Sequence, residues 1–246
     1  MKKLLFATAG LAALSLFAAP AQAQQGYVGG SYVSQDFGAA DANGWQVDGA
    51  VALDTGTAFG VAVDAAVGDN DLPGSDSAIS VGGHVFGKGA SALYGGFVDY
   101  TDGGNASAWT FGGEGQVNFT GFTLAGSAGW VNFNDSVYED GWGVGGEARV
   151  FPTDNIRLSG NVGYSDLNGV VSAFDDSVLT FGVGGEWQPL SVPISFAADY
   201  AHSEFDRANG EADTFKIGAR YNFGGSLKSR NDSGADLIGA KFLGAF

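Results

Sequence analysis

Two histidines, His84 and His202, are the side chains of this chain best suited to exchange a proton near neutral pH. A hydrolytic site built on either would need nucleophile, base and orienting group within mutual reach. His84 follows Val81-Gly82-Gly83 in an apolar-alternating run and falls on its polar face. His202 precedes the acidic stretch Ser203-Glu204-Phe205-Asp206. No serine stands in a Gly-x-Ser-x-Gly elbow. Both histidines are therefore read as polar lumen or rim residues, and no catalytic residue is expected. Asp69-Asn70-Asp71 with Asp76 has the flavour of a calcium loop, but it lacks the glycine at the sixth position and the closing glutamate that an EF-hand uses. It is read as a solvated acidic loop, and no metal and no cofactor is expected. Gly-x-Gly patterns such as Gly143-Val144-Gly145 sit inside apolar-alternating runs and open no helix, so they are not phosphate loops.

The elements that must position these residues are strands. Apolar and polar residues alternate in runs near 26–34, 44–53, 58–68, 77–87, 91–101, 107–118, 121–132, 141–151, 156–166, 177–187, 192–203 and 213–223. Trp45, Val47, Gly49, Val51 and Leu53 share one face of the second run, opposite Gln46, Asp48, Ala50 and Ala52. Ile156, Leu158, Val162 and Tyr164 oppose Arg157, Ser159, Asn161 and Ser165 in the ninth. Runs of about ten residues with this two-residue period are the signature of a transmembrane β-barrel. Twelve is the count the runs give, with ten and fourteen as neighbouring alternatives. In the first run the phase is open: either Tyr27 or Val28 faces out.

Connections after even-numbered runs are tight, as in Asp54-Thr55-Gly56-Thr57 and Pro152-Thr153-Asp154-Asn155. Those after odd-numbered runs are mostly longer and carry most of the acids, among them Asp36, Asp41, Asp69, Asp71, Asp135, Glu139, Asp166, Glu204 and Glu211. Short periplasmic turns and longer extracellular loops produce this rhythm. Trp45, Phe59, Tyr100, Trp109, Phe119, Phe122, Trp130, Trp142, Trp187, Tyr200 and Phe223 lie near run ends, where two aromatic girdles belong.

The chain opens on Met1-Lys2-Lys3, an apolar run from Leu4 to Ala19 and Ala21-Gln22-Ala23, which reads as a cleaved secretory signal over residues 1–23. Its removal leaves nine basic against 27 acidic residues, a balance of −18, which argues against nucleic-acid binding. There is no cysteine, so an exported chain of this kind is held by something other than disulfides. A closed barrel of residues 24–223 supplies that through hydrogen bonding and lipid burial. Residues 224–246 leave the barrel through the flexible exit Gly224-Gly225-Ser226 and are expected to form a periplasmic extension, with folding back into the lumen or under the rim as alternatives.

The last run, Lys216-Ile217-Gly218-Ala219-Arg220-Tyr221-Asn222-Phe223, places a polar residue, a glycine two positions on, and aromatics at the sixth and eighth positions. Lys216, Gly218, Tyr221 and Phe223 in this spacing resemble the closing-strand assembly signal of Gram-negative outer-membrane β-barrels, and nearly the whole remaining chain is similar to the porin-like family in pattern. The resemblance implies an all-β, transmembrane, antiparallel up-and-down barrel in the outer membrane. It also implies contact with outer-membrane lipid and lipopolysaccharide, insertion by the barrel-assembly machinery, and passage of small solutes. The tail after the signal departs from the family pattern.

Within such a barrel, phase points Asp48, Asp64, Asp99, Glu114, Glu147, Glu186 and Asp199 inward, together with Arg149, Arg157, Lys216 and Arg220. Porins resemble this arrangement of opposed acidic and basic walls. The other inward positions are largely small, including Ala62, Gly112, Ser127, Gly145, Ser159, Gly184 and Ser195. A lumen packed by salt bridges is the alternative. The small side chains and the surplus of acids favour an open, narrow pore that admits cationic or neutral solutes. A non-conducting surface-interaction barrel is the second reading.

Overall fold

A computed structural model describes residues 24–38, 40–72, 77–103, 106–134, 137–190, 192–207 and 210–243. The expected signal segment 1–23 and the loop acids Asp76 and Asp135 lie outside them. Twelve antiparallel strands close on themselves: β1 (Gln24–Asp36), β2 (Asp41–Asp54), β3 (Phe59–Asn70), β4 (Ala78–Lys88), β5 (Ala92–Asp102), β6 (Ser107–Asn118), β7 (Phe122–Asn134), β8 (Tyr138–Thr153), β9 (Ile156–Gly169), β10 (Asp176–Trp187), β11 (Ile194–Phe205) and β12 (Gly210–Phe223). Each strand pairs with its sequence neighbours, and β12 closes on β1 from Gly26↔Phe223 to Asp36↔Asp213. No sheet edge remains, as a chain surrounded by hydrocarbon requires.

The distribution of side chains is inverted relative to a water-soluble protein. Val85, Tyr94, Trp109, Phe111, Leu158, Val162, Val183 and Ile217 are exposed on the outer face. The largest fully buried side chains instead include Arg149, Arg230, Gln116, Asn231 and Thr123. Hydrocarbon outside and polar groups within account for both halves of this pattern. The open phase of the first run is settled by the β1–β12 register: Val28 is exposed on the outer face, and Tyr27 lies inside with the Arg220 and Arg230 guanidinium carbons 4.6 Å and 4.8 Å from its ring centre. Aromatic pairs mark the girdles, with Tyr100 against Trp109 at 4.8 Å and Phe119 stacked on Phe122 at 4.2 Å.

The strands run further than the apolar alternation does. Asp36 pairs with both Asp41 and Asp213, and Glu204 with Glu211, so these acids stand on strand tops rather than in loops. The connections after odd strands shorten accordingly; Phe37 to Ala40 closes β1 to β2 with one N–H···O=C bond of 2.9 Å. The expected contrast in loop length is therefore weaker than the sequence suggests. The reason is physical: ladder bonds continue above the membrane, where polar outward residues are solvated and the lipid-facing pattern is no longer required.

Candidate functional site

The inward-facing residues form the site, and the tail is part of it. After β12 the chain turns at Gly224 and Gly225, whose φ angles of +86° and +148° suit glycine and strain other residues. It then re-enters the barrel as helix α1 (Leu227–Ser233). Ser226 caps α1 by accepting the Ser229 N–H at 3.2 Å, and Gly234 ends it in the left-handed conformation. The tail expected as a periplasmic extension thus folds back into the lumen. It stays there because its polar groups are matched by the wall. Lys228 N–H donates to the Asp154 carbonyl at the turn, and further along Phe242 lies against Gly143, Gly145 and Gly163 on β8 and β9. The tail therefore climbs from the turn end past mid-height.

Near the turn end, Glu186 on β10 organises a charged network. Arg230 of α1 grips it with two bonds, of 3.0 Å and 2.8 Å; Arg157 on β9 reaches it at 3.0 Å and Arg220 on β12 at 3.2 Å. The Ser195 hydroxyl donates to the same carboxylate at 2.5 Å. Arg220 also reaches Asp48 at 3.4 Å, and Arg149 on β8 pairs with Glu147 at 2.7 Å. The tail's Asp236 accepts from Arg230 at 3.1 Å and from Arg157 at 3.3 Å. Four guanidinium groups thus face four carboxylates. Asp236 sits in the tail, outside the strands. Burial pushes its carboxyl pKa up, but Arg230, Arg157 and Arg149 outweigh that and hold it below the ordinary carboxylate range. Asn231 is fully buried: its amide donates to Thr123 Oγ1 at 2.9 Å, its side-chain oxygen accepts from Arg149 at 2.8 Å, and its carbonyl accepts from Gln116 at 2.8 Å.

A second group lies on β3 to β6. His84 places Nε2 2.7 Å from Asp64 and Nδ1 2.7 Å from Glu114. Glu114 also accepts the Gly239 N–H of the tail at 3.0 Å. Asp99 faces Asp64 across Gly82, where a Cβ would collide with both carboxylates. Asp199 and Lys216 are opposite one another in the β11–β12 register, on the inward face. Every inward residue named from phase is on the inner side. The arrangement of charge is different, however. Arg149, Arg157 and Arg220 do not form a wall facing acids across water, because each is bonded to a nearby carboxylate. The small inward residues leave space for the tail: Gly143, Gly145 and Gly163 make the hollow under Phe242, and Ala52, Ala62, Phe86 and Leu93 pack Ala235 and Leu237. An open lumen is therefore not what the structure contains. At the opposite mouth Val131, Leu167 and Val178 form a further buried apolar cluster inside one half of the barrel.

The other candidates resolve locally. His202 lies at the rim on the outer face, 2.8 Å from Asp213 and with its ring centre 5.0 Å from that of Phe181. Asp69 accepts from the Asn70 N–H at 2.9 Å and from the Ser77 hydroxyl at 3.2 Å, and Asp71 accepts from the Asn43 N–H at 2.6 Å, so both carboxylates are occupied by their own hairpins. Sequence reasoning missed Arg230, Asn231, Asp236 and Phe242. The traces they leave are a mostly polar first half and an apolar second half of the tail, and inward glycines in register on two adjacent strands.

An even number of antiparallel strands, a lipid-facing exterior and a charged interior define an outer-membrane β-barrel with the porin-like fold. No family model matches the sequence, and no curated protein matches it. Among solved structures it is similar to the KdgM porin, at 12% identity and a TM-score of 0.56 over 80% of this chain and 99% of that one. It is similar also to the NanC porin, at 5% identity and a TM-score of 0.61 over 79% and 98% of the two chains. A third is an outer-membrane channel from Pseudomonas putida F1, at 10% identity and a TM-score of 0.58 over 84% and 96%.

Proposed function

We propose that the protein is a porin-like passive channel for small, preferentially cationic or neutral solutes across the outer membrane. The observation that supports this reading is a charged, hydrogen-bonding interior enclosed by a lipid-facing belt. Glu186, Glu147 and Asp48 are matched by arginines, whereas Asp64, Asp99, Glu114 and Asp199 outnumber His84 and Lys216 elsewhere on the inward face. Their excess negative charge concentrates cations. A KdgM porin structure contains oligogalacturonate, and polar solutes of modest size are the class we carry over, without that particular ligand. The channel does no covalent chemistry. The barrel reaches its place through the barrel-assembly machinery, with Lys216, Gly218, Tyr221 and Phe223 of β12 as the recognised signal, and it contacts lipopolysaccharide through its acidic strand tops.

Planar-bilayer recording tests this. Discrete current steps are expected, with a reversal potential in a salt gradient displaced toward the cation's equilibrium potential and moved back by Asp199→Asn. The filled lumen favours a second reading, a non-conducting structural barrel whose acidic rim engages partners outside the cell. Silence from correctly folded protein both with its tail in the lumen and with the tail released would establish that reading in place of the first.

A further inference from the structure

The tail is joined to the barrel wall by side-chain and backbone contacts and not by the sheet. The barrel does not need it for closure, since β12 is sealed to β1 by their own ladder up to Phe223. The two turn glycines confine the change of direction to a short hinge. Most of the ion-paired charges also have a partner on their own side of the contact. Within the wall, Arg149 has Glu147, Arg157 has Glu186, and Arg220 has Glu186 and Asp48. Within the tail, Arg230 has Asp236, and Lys228 has Asp232 at 2.5 Å. Withdrawal of the tail breaks bonds between the two sets, but it strands no buried charge, and water entering the lumen can replace the lost partners. The contacts that are lost outright are apolar: Ala235 and Leu237 against Ala52, Ala62, Phe86 and Leu93, and Phe242 in the glycine hollow of β8 and β9 with Phe97 edge-on at 6.3 Å.

We propose that Ser226–Leu243 is a displaceable plug that decides whether the lumen conducts: seated, it closes the passage; withdrawn through the turn end, it opens it. This rests on the channel reading above. Phe242 in its glycine hollow is the catch, and the Arg230–Glu186 and Asp236–Arg157 bonds are the pins that align it.

The chain has no cysteine, so an engineered pair can be read without interference. A Cβ at position 145 would lie 3.1 Å from that of Phe242, within a few tenths of an ångström of disulfide spacing. The full-length double variant Gly145→Cys, Phe242→Cys is recorded in planar bilayers before and after reduction. The oxidised form is expected to pass at least tenfold less current than the reduced form, with Gly145→Cys alone insensitive to reductant. Phe242→Ala leaves every strand intact and covers failure of the double variant to fold. It is expected to raise the open probability severalfold over the unaltered protein. Equal currents from oxidised and reduced forms, or an unchanged open probability in Phe242→Ala, overturn the plug while the channel reading stands. Silence from all forms, the unaltered protein included, overturns both.

Discussion

Glu186 is the residue around which the lumen's charge is arranged. Its carboxylate meets three guanidinium groups and a hydroxyl in a position closed to solvent. Removing one member of a buried ionic group leaves the remaining charges uncompensated. Glu186→Gln is expected to lower stability by roughly 3 kcal/mol, measured as the shift in urea midpoint of tryptophan fluorescence for protein folded in vesicles. An unchanged midpoint would mean that lumen water already screens the arginines. Asp236 fixes a different property. Its carboxyl is held below the ordinary range, so its pairing contributes fully above that range and is lost only as the pH falls through the lowered value. Protection of the tail from added protease is therefore expected to stay constant between about pH 8 and about pH 5; release within that interval would show that a group other than Asp236 governs the tail's docking. These residues show where the sequence could be read and where it could not. Asp48, Glu147, Glu186, Arg149, Arg157 and Arg220 were identifiable because phase alone decides which face of a strand a residue occupies. Their partners were not, because Arg230 and Asp236 lie on a segment whose position depends on the three-dimensional space the wall leaves.

At the scale of the element, strand identity was legible wherever one face meets hydrocarbon, since a one-residue slip would place charges such as Asp64 or Arg157 in lipid. It was less legible at two places. In β1, Tyr27 and Val28 are both acceptable to a girdle, and the inward choice for Tyr27 is made by Arg220 and Arg230 rather than by β1 itself. At the strand tops the apolar pattern stops while the ladder continues, which is why Asp36 and Asp41 read as a loop and form a pair. The lipid-facing assignment itself can be challenged on β10. Val183 is exposed midway between Leu179 and Trp187, all three on the outer face. Val183→Arg is expected to cost about 2–4 kcal/mol of folding free energy in a bilayer, measured by folding titrations into lipid vesicles. A neutral result would mean that this face meets protein or water.

The whole molecule is a closed sheet turned inside out, wrapped around a short segment of its own chain. Seven inward acids against four inward bases looked, from sequence, like a surplus available to a wet channel. The tail changes that balance by bringing Lys228, Arg230 and Lys241 together with Asp232 and Asp236, so it adds bonds and one net positive charge while acids remain in excess. The excess that remains lies with Asp64, Asp99, Glu114 and Asp199. Matched charge near the turn end and unmatched acids further along make the lumen asymmetric in field.

The β1–β12 junction carries a consequence for timing. Tyr27 is contributed by the first strand and Arg220 by the last, and both meet Arg230 in the same place. Before those strands join, the Tyr27 side of the helix's receptacle does not exist, although its partners on β6 to β10 do. Docking of the segment is therefore completed only when the cylinder is sealed.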